Sequence, residues 1–426
     1  MPPISDHPLR YALANELHAR PFPKLEAPCR AAYLAIKPAQ NAVGRDRAAD
    51  LAHLKLLLDH YAAPHPEEGA THYFGPIGKH QLKWESHTEF VTYTIFGPGN
   101  SEPPFDAHTF AMFPEEWLVQ SPGTRVTSAL IRVEVPDGDE GIENKIRDWF
   151  VPESLAVSRM LDDSAVTAGD FRIDPAGHMR FAVFARTETG ERRVGRVVQR
   201  LCEIETYKAM SMLGLSRSRQ LGPRMGEIDT KLAAITDELC GVMTSPEQTL
   251  SQLLQVSSEL EQMISQSEFR FAATEAYETI VNQRIEVLRE DRFAGRQTFA
   301  EFMMRRYDPA MRTVKSTQAR LKALSDRALR SGDLLRTRVD VERSAQNQNL
   351  LESMDKRADL QLRLQKTVEG LSVVAISYYA VNLVANMGTP LAKEAGLGTT
   401  TFKALITPVV ILCVWWAVRS IRKRME

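Results

Sequence analysis

Cysteine is scarce in this chain, and neither sign of charge is in excess. The cysteines stand far apart and form no C-x-x-C pair: Cys29, Cys202, Cys240 and Cys413. This spacing excludes a disulfide framework or a zinc ribbon and is typical of a reducing compartment. Lysine and arginine number 53 against 54 aspartates and glutamates, for a net charge of −1. Because a basic excess is missing, we expect no nucleic-acid partner.

Sequence motifs of catalysis and phosphate binding are also missing. The chain has no Walker A loop, no G-x-G-x-x-G, no G-x-S-x-G, no H-E-x-x-H and no kinase signature. We therefore predict that the protein is not an enzyme and binds no cofactor. The first ten residues, MPPISDHPLR, contain no apolar core, so we also expect no signal peptide.

Long apolar runs are present, and they lie at the C-terminal end of the chain. Residues 370–392 are 23 residues without a charge, and a spanning helix needs about 20 apolar residues. Residues 404–418 are 15 uncharged residues. Lys403 and Arg419 extend this second run, because their charged heads can reach the membrane interfaces. The pattern predicts a two-helix transmembrane hairpin over residues 367–426, with a buried core hairpin as the alternative.

The basic residues around these runs predict the topology. They stand before the first run and after the second: Lys356, Arg357, Arg363, Lys366, Arg419, Arg422, Lys423 and Arg424. The loop between the runs holds Lys393, Glu394 and Lys403. The positive-inside rule then places both termini in the cytoplasm, as in a two-pass protein of a bacterial inner membrane.

Within residues 1–190, segments with a strand pattern alternate with segments with a helix pattern. We therefore predict a mixed α/β domain here, and the predicted topology places it in the cytoplasm. Strands are predicted at Cys29–Lys37, within 81–96, at Arg125–Val135, within 156–173 and at Met179–Ala185, and helices at 44–60 and 143–149. Short turns join several of the strands. We therefore expect a mixed sheet rather than an all-parallel one.

From residue 191 the pattern becomes helical. A 4-3 spacing of apolar residues, which is typical of a coiled-coil seam, is kept by Leu221, Met225, Ile228, Leu232, Ile235, Leu239 and Val242. Ser245 as a cap and Pro246 at a first helical position predict the start of one helix. Asp308 and Pro309 predict the start of another by the same logic, and this helix is predicted to continue into the first apolar run. The fold class is therefore predicted as α+β, with a helical coiled-coil stalk over residues 191–366 that self-associates.

Polar residues inside the first apolar run form one candidate site. Tyr378, Asn382 and Asn386 are four residues apart and fall on one helical face. An asparagine in hydrocarbon is costly unless it faces another helix or water. The stripe is either a set of hydrogen bonds between helices or the lining of an oligomeric pore, with Glu369 and Gly370 at its cytoplasmic mouth.

The histidines form a second candidate. All ten lie within the first 178 residues, and none has a recognised metal-ligand spacing. The densest group is Glu85, His87 and Glu89, which we take as a candidate ligand site. The alternative is that these are ordinary surface and core side chains.

Several stretches together resemble one bacterial family. They are HPLRYALANELHARPFP at 7–23, WESHTEFVTYTIF at 84–96, DFRIDPAGHMRF at 170–181, RVVQRLCEIETYKAMSMLGL at 196–215, LLRTRVDV at 334–341 and TVEGLSVVAISYY at 367–379. The family comprises membrane-anchored proteins with a domain of unknown function, number thirty-four twenty-two. The resemblance implies no activity and no catalytic residues.

A looser resemblance is architectural. The predicted cytoplasmic domain, long stalk helix, short outer loop and basic tail are similar to those of CorA-type magnesium channels, in which the first span lines a pore. Their Gly-Met-Asn signature is absent here, where Asn382 to Gly388 reads NLVANMG. The resemblance implies a homo-oligomeric cation channel gated through the stalk, with a divalent cation as the ion. The alternatives are a membrane-tethered scaffold and, as a third reading, an enzyme that uses His87.

Overall fold

The computed structural model describes residues 4–16, 22–38, 44–241, 246–394 and 398–425. The chain forms two compact units, Met1–Ser331 and Gly332–Glu426. The first contains a mixed sheet and long helices, and the second contains two apolar helices. The predicted α+β class is confirmed at this level.

Nine strands form one sheet within the described residues: β1 (Cys29–Lys37), β2 (His72–Ile77), β3 (His80–Ser86), β4 (Val91–Pro98), β5 (Thr124–Glu134), β6 (Ala156–Met160), β7 (Ala165–Gly169), β8 (Met179–Ala185) and β9 (Asp291–Arg292). Their order is β2-β3-β4-β1-β5-β8-β7-β6-β9. The β5–β8 pair is parallel and the other neighbours are antiparallel. The sheet is therefore mixed, as predicted.

Short helices connect the strands: α1 (Arg10–Glu16), α2 (Arg47–His60), a 3-10 helix (Ala107–Met112), α3 (Glu115–Val119) and α4 (Asp139–Trp149). Helix α2 begins three residues later than predicted. The Asp46 carboxylate caps it by accepting hydrogen bonds from the backbone N–H groups of Ala48 and Ala49, at 2.9 and 3.2 Å. Such a cap satisfies N–H groups that have no partner within the helix.

Two segments predicted to contain a strand each contain two. Residues 81–96 hold most of the β3–β4 hairpin, and residues 156–173 hold β6 and β7. The second pair turns at Asp162 and Asp163, whose φ angles are 58° and 61°. Positive φ values at successive residues suit a tight hairpin, and aspartate tolerates them better than most residues.

The main apolar core covers one face of the sheet. Alternate residues of the strands point into it, including Leu34, Trp84 and Tyr93, and α2 and α4 supply Leu57 and Ile146. The opposite face packs against a longer helix, α5 (Glu191–Cys240), where the hydroxyl of Thr127 in β5 donates to Glu205 at 2.9 Å. Both faces are therefore covered, and a polar residue on the second face is enclosed.

The remaining helices are α6 (Pro246–Glu286), α7 (Phe299–Arg306), α8 (Asp308–Glu394) and α9 (Thr399–Met425). Helix α6 returns antiparallel to α5, since Arg217 reaches Ser267 and Arg224 reaches Glu259. It begins at Pro246, which suits a first helical position; Ser245, its predicted cap, lies outside the described residues.

The start of α8 completes a three-helix bundle in the first unit. Arg320 and Arg327 of α8 both contact Asp229 of α5, at 3.4 and 3.0 Å. Lys315 of α8 contacts Glu278 of α6 at 2.8 Å. The 4-3 seam of α5 is buried in this chain at Leu221, Met225, Ile228, Leu232, Ile235 and Leu239, and Val242 lies outside the described residues.

Two helices are long and apolar enough to cross a membrane. Their most apolar windows lie in α8 and α9, and only 11% and 6% of these windows are buried within the chain. That exposure does not fit a buried core hairpin. The two helices touch through a small residue, because a Cβ placed at Gly388 would lie 2.6 Å from the Phe402 ring.

Candidate functional site

A cavity of about 250 Å³ lies between the second face of the sheet and α5. We call it the sheet–helix cavity. Its floor consists of side chains from three adjacent strands: Tyr33, Lys83, Glu85, Thr92 and Thr94. Its wall includes Gln199, Cys202, Glu203 and Thr206 of α5, and Arg284 of α6.

The floor is polar because of the strand period. In β3, Leu82 and Trp84 point into the apolar core, so Lys83 and Glu85 must point to the opposite face. Thr94 of β4 pairs directly with Lys83 on one side and with Tyr33 on the other. Charged and hydroxyl groups are therefore placed side by side beneath a helix.

The wall is joined to the floor by a hydrogen bond. Thr206 donates to the carbonyl oxygen of Cys202 at 2.8 Å, and its hydroxyl oxygen is bonded to the Tyr33 hydroxyl. Because the Thr206 proton is committed, Tyr33 is the donor. Burial raises the pKa of Tyr33 and the pKa of the Cys202 thiol. Both groups therefore keep their protons, and Cys202 is not a thiolate nucleophile.

The structure separates the three residues of the predicted ligand site. Glu85 and His87 line the sheet–helix cavity. His87 stacks on Phe90 with ring centroids 4.4 Å apart. Glu89 is fully buried and binds α6, where Arg270 forms an ion pair with it and the Tyr277 hydroxyl donates to it at 2.9 Å. Its carboxylate is committed to this contact.

Metal-ligating side chains do not cluster in the described residues. No group of three or more histidine, cysteine, aspartate or glutamate side chains there has a geometry that could hold a metal ion. Glu85 and His87 supply two such side chains to the sheet–helix cavity.

The polar stripe lies beside the α8 face that meets α9. Ser377, Ala385 and Ala392 are buried, and they share that face with Gly388. Tyr378 and Asn386 are exposed, and Asn382 is half-buried. Among the described residues of 370–392, the Thr389 hydroxyl donates to the Ala385 carbonyl at 2.5 Å, and neither asparagine side chain forms a hydrogen bond.

The residues assigned to the cytoplasmic mouth stand at the start of the apolar run: Glu369 directly precedes it and Gly370 is its first residue. Gln365 donates to the Glu369 carboxylate at 3.3 Å. Gly370 is exposed, and a Cβ there would meet no atom within 4 Å. Among the described residues, the Glu369 carboxylate has no hydrogen bond or ion pair to another helix.

Sequence reasoning missed most of the sheet–helix cavity. Lys83 and the α5 residue Gln199 are 116 positions apart, so no local spacing connects them. One signal was present: β3 and β4 carry Lys83, Glu85, Thr92 and Thr94 on one parity and apolar residues on the other. In a strand that is later covered on both faces, such residues mark an enclosed polar site.

Comparison with known proteins gives one family. A family model described as "Protein of unknown function (DUF3422)" matches residues 5–425, and this confirms the predicted family. No curated protein matches the chain. The resemblance to CorA-type channels receives no support from these comparisons.

Proposed function

The chain belongs to the DUF3422 family of proteins of unknown function, and we propose that it is a homo-oligomeric, two-pass protein of the bacterial inner membrane that conducts cations. Copies associate through α8, in the stalk and in the membrane. The polar stripe of each copy faces the others. Both termini are cytoplasmic, as the basic flanks predict.

The observation that carries this proposal is the uncovered part of α8. Every residue from 340 to 368 is exposed, although the segment carries large apolar side chains: Val341, Leu350, Leu351, Met354, Leu360, Leu362, Leu364 and Val368. A helix exposed on all sides has no packing to stabilise it. A second copy of α8 would cover these side chains as a coiled coil.

The same helix continues into the apolar run, where the stripe also lacks partners. Asparagine side chains inside a bilayer are stabilised by facing another polar surface. The small-residue face of α8 already meets α9. The stripe is therefore left for neighbouring copies, whose stripes would lie opposite it.

The chemistry of the stripe favours cations over anions. Residues 370–392 contain no lysine or arginine. Amide and hydroxyl oxygens are ligands for hard cations, including divalent ones, and Glu369 would stand at the entrance. Because α8 is one continuous helix, a change in the cytoplasmic unit would bias the packing of the stripe, as in a gated channel.

The first experiment measures mass. The detergent-solubilised full-length protein should have a mass that is a multiple of 47.9 kDa by light scattering after subtraction of detergent. In the double variant Asn382→Leu, Asn386→Leu, the measured mass should shift toward that of the monomer. Thr389→Val is the matched control, since its hydroxyl is satisfied within α8. A monomeric wild type would refute the proposal.

The second experiment measures cation flux into liposomes that contain the protein. Wild type and Thr389→Val should conduct, and the double asparagine variant should not. Flux that is absent from wild type, or unchanged in the double variant, would remove the conduction part of the proposal.

A membrane-tethered scaffold is the second candidate, and the exposed apolar side chains of 340–368 also favour it. In that case they would bind a different protein, and the membrane helices would only anchor the chain. Removing residues 367–426 distinguishes the two: a scaffold keeps its partner in a pull-down, whereas the channel loses all activity.

A further inference from the structure

Two buried polar atoms on the sheet–helix cavity have no hydrogen-bond partner: Lys83 Nζ and Gln199 Oε1. The Lys83 side chain is only 6% exposed. Its ammonium lies 3.2 Å from a Glu85 oxygen, without the alignment of a hydrogen bond. A buried polar group without a hydrogen bond destabilises the fold. Two of them on one cavity indicate that a ligand completes the site.

The orientation of the Gln199 amide is set by its neighbour. Gln199 Nε2 donates to the Glu203 carboxylate at 2.7 Å, and Arg284 pairs with the same carboxylate. Gln199 Oε1 is therefore an acceptor that needs a donor from the ligand. Lys83 offers three donors and no acceptor, so it needs an oxygen.

The charge of the cavity selects a monoanion. It is lined by three cations, Lys83, Arg200 and Arg284, and by two carboxylates, Glu85 and Glu203. Arg284 is paired with Glu203, and Arg200 donates to the backbone carbonyl of Val287 at 3.0 Å. Lys83 lies 3.2 Å from Glu85, but its buried ammonium forms no aligned hydrogen bond, so its donors are available to a ligand. A carboxylate binds an ammonium by charge-assisted hydrogen bonds, and its single negative charge matches the excess of one cation among the lining residues.

The volume limits the ligand. About 250 Å³ corresponds to roughly eight water molecules at about 30 Å³ each, which suits a small metabolite. Phe22, Phe90, Phe96 and Tyr207 also line the cavity and form its aromatic wall. The ligand therefore has a compact apolar body.

From these observations we infer that the sheet–helix cavity binds a small hydroxycarboxylate. Its carboxylate accepts from Lys83, and its hydroxyl donates to Gln199 Oε1. The apolar part of the ligand packs against the aromatic wall. This site lies within the first unit and does not depend on self-association of α8.

The test is calorimetric titration of the full-length protein in detergent with named probes. 4-Hydroxybenzoate and 3-hydroxybutyrate carry both groups, benzoate lacks the hydroxyl, and 4-hydroxybenzamide lacks the carboxylate. The hydroxycarboxylates should bind at least tenfold more tightly than either truncated probe. Binding of none of the probes, or equal binding of benzoate and 4-hydroxybenzoate, would overturn the inference.

Three variants locate the binding. Lys83→Met should weaken the binding of both hydroxycarboxylates at least tenfold. Gln199→Leu should weaken the binding of 4-hydroxybenzoate but leave the binding of benzoate unchanged. This second variant tests the site even if Lys83→Met does not fold. Lys79→Met removes an exposed lysine of the β2–β3 turn and should bind like wild type. Wild-type affinity in folded Lys83→Met and Gln199→Leu would refute the assignment.

Discussion

The carboxylate of Glu89, in the turn between β3 and β4, is bound by the guanidinium of Arg270 in α6, 181 residues further along the chain. Glu89 is 0% exposed, and Tyr277 donates a second hydrogen bond to it. This contact attaches the β3–β4 turn to the helical bundle, beside the sheet–helix cavity.

Replacing Arg270 by methionine should strongly destabilise the first unit. The buried Glu89 charge would lose its countercharge, a change that costs about 3–5 kcal/mol in other buried pairs. Arg289→Met is the matched control, because Arg289 and its partner Asp162 are both mostly exposed and such pairs contribute about 0–1 kcal/mol. In detergent, the unfolding temperature should fall strongly in Arg270→Met and change little in Arg289→Met. Equal losses would contradict the role assigned to Glu89.

Two glycines of α5 should respond in opposite directions to alanine. A methyl group at Gly214 would overlap the side chain of Thr274 in α6, whereas one at Gly226 would meet no atom within 4 Å. Gly214→Ala should cost about 1–3 kcal/mol by overpacking. Gly226→Ala should gain up to about 1 kcal/mol, because alanine favours a helix. Chemical unfolding of both variants checks this, and a gain in both would show that α5 and α6 do not approach as closely at Gly214.

Stability should fall as the pH is lowered below 6.5. Burial lowers the pKa of His53, His80 and His178 from 6.5, with Lys79 and Arg30 adding to the effect at His80. Below pH 6.5 the unfolded chain therefore binds more protons than the folded one, and protonation favours unfolding. Unfolding followed between pH 8 and 5 should show this slope. The triple glutamine variant should have a flatter slope than wild type, whatever its absolute stability; an unchanged slope would assign the effect to other groups.

The cysteines should differ in reactivity. Cys29 and Cys202 are buried, and Cys240 is exposed. Burial raises the pKa of Cys29 to about 12, so its thiolate is very rare at pH 8. Maleimide labelling followed by mass spectrometry should modify Cys240 in the native protein and Cys29 and Cys202 only after denaturation. Rapid native labelling of Cys202 would show that the sheet–helix cavity opens widely.

Enlarging Gly388 should disrupt the contact between α8 and α9. The Phe402 ring occupies the space that a side chain would need. Gly388→Val should therefore lower the unfolding temperature in detergent, while Gly370→Ala, at an open position of the same helix, should not. Phe402→Ala combined with Gly388→Val should recover part of the loss. Failure of this rescue would mean that the two residues act independently.

Much of the architecture was readable from local patterns. The run CRAAYLAIK predicted β1 with the bounds that the structure has, and the cap and proline near 308 and 246 predicted where α8 and α6 begin. The β6–β7 turn was missed because its aspartates adopt positive φ values without a glycine or an asparagine. Residues 72–77 were missed because Gly75 and Pro76 are unusual inside a strand.

The candidate site was predicted only in part. Glu85 and His87 drew attention because they are close in sequence, and both line the cavity. Glu89 satisfied the same criterion, but Arg270 binds it. Sequence spacing reports which residues are neighbours along a strand, and it carries no information about which helix covers each of them.

The sequence by itself determined the family, the alternation of β3 and β4 and the two uncharged apolar runs, because these depend on composition and on the periods of strands and helices. Only the tertiary structure decided that Lys83 and Gln199 face one cavity and that the α8 stripe is left uncovered by α9. The physical reason is that both results depend on which surfaces meet. For the cavity, this is decided by packing between segments more than a hundred residues apart. For the stripe, it is decided by the close approach of Phe402 in α9 to Gly388 in α8.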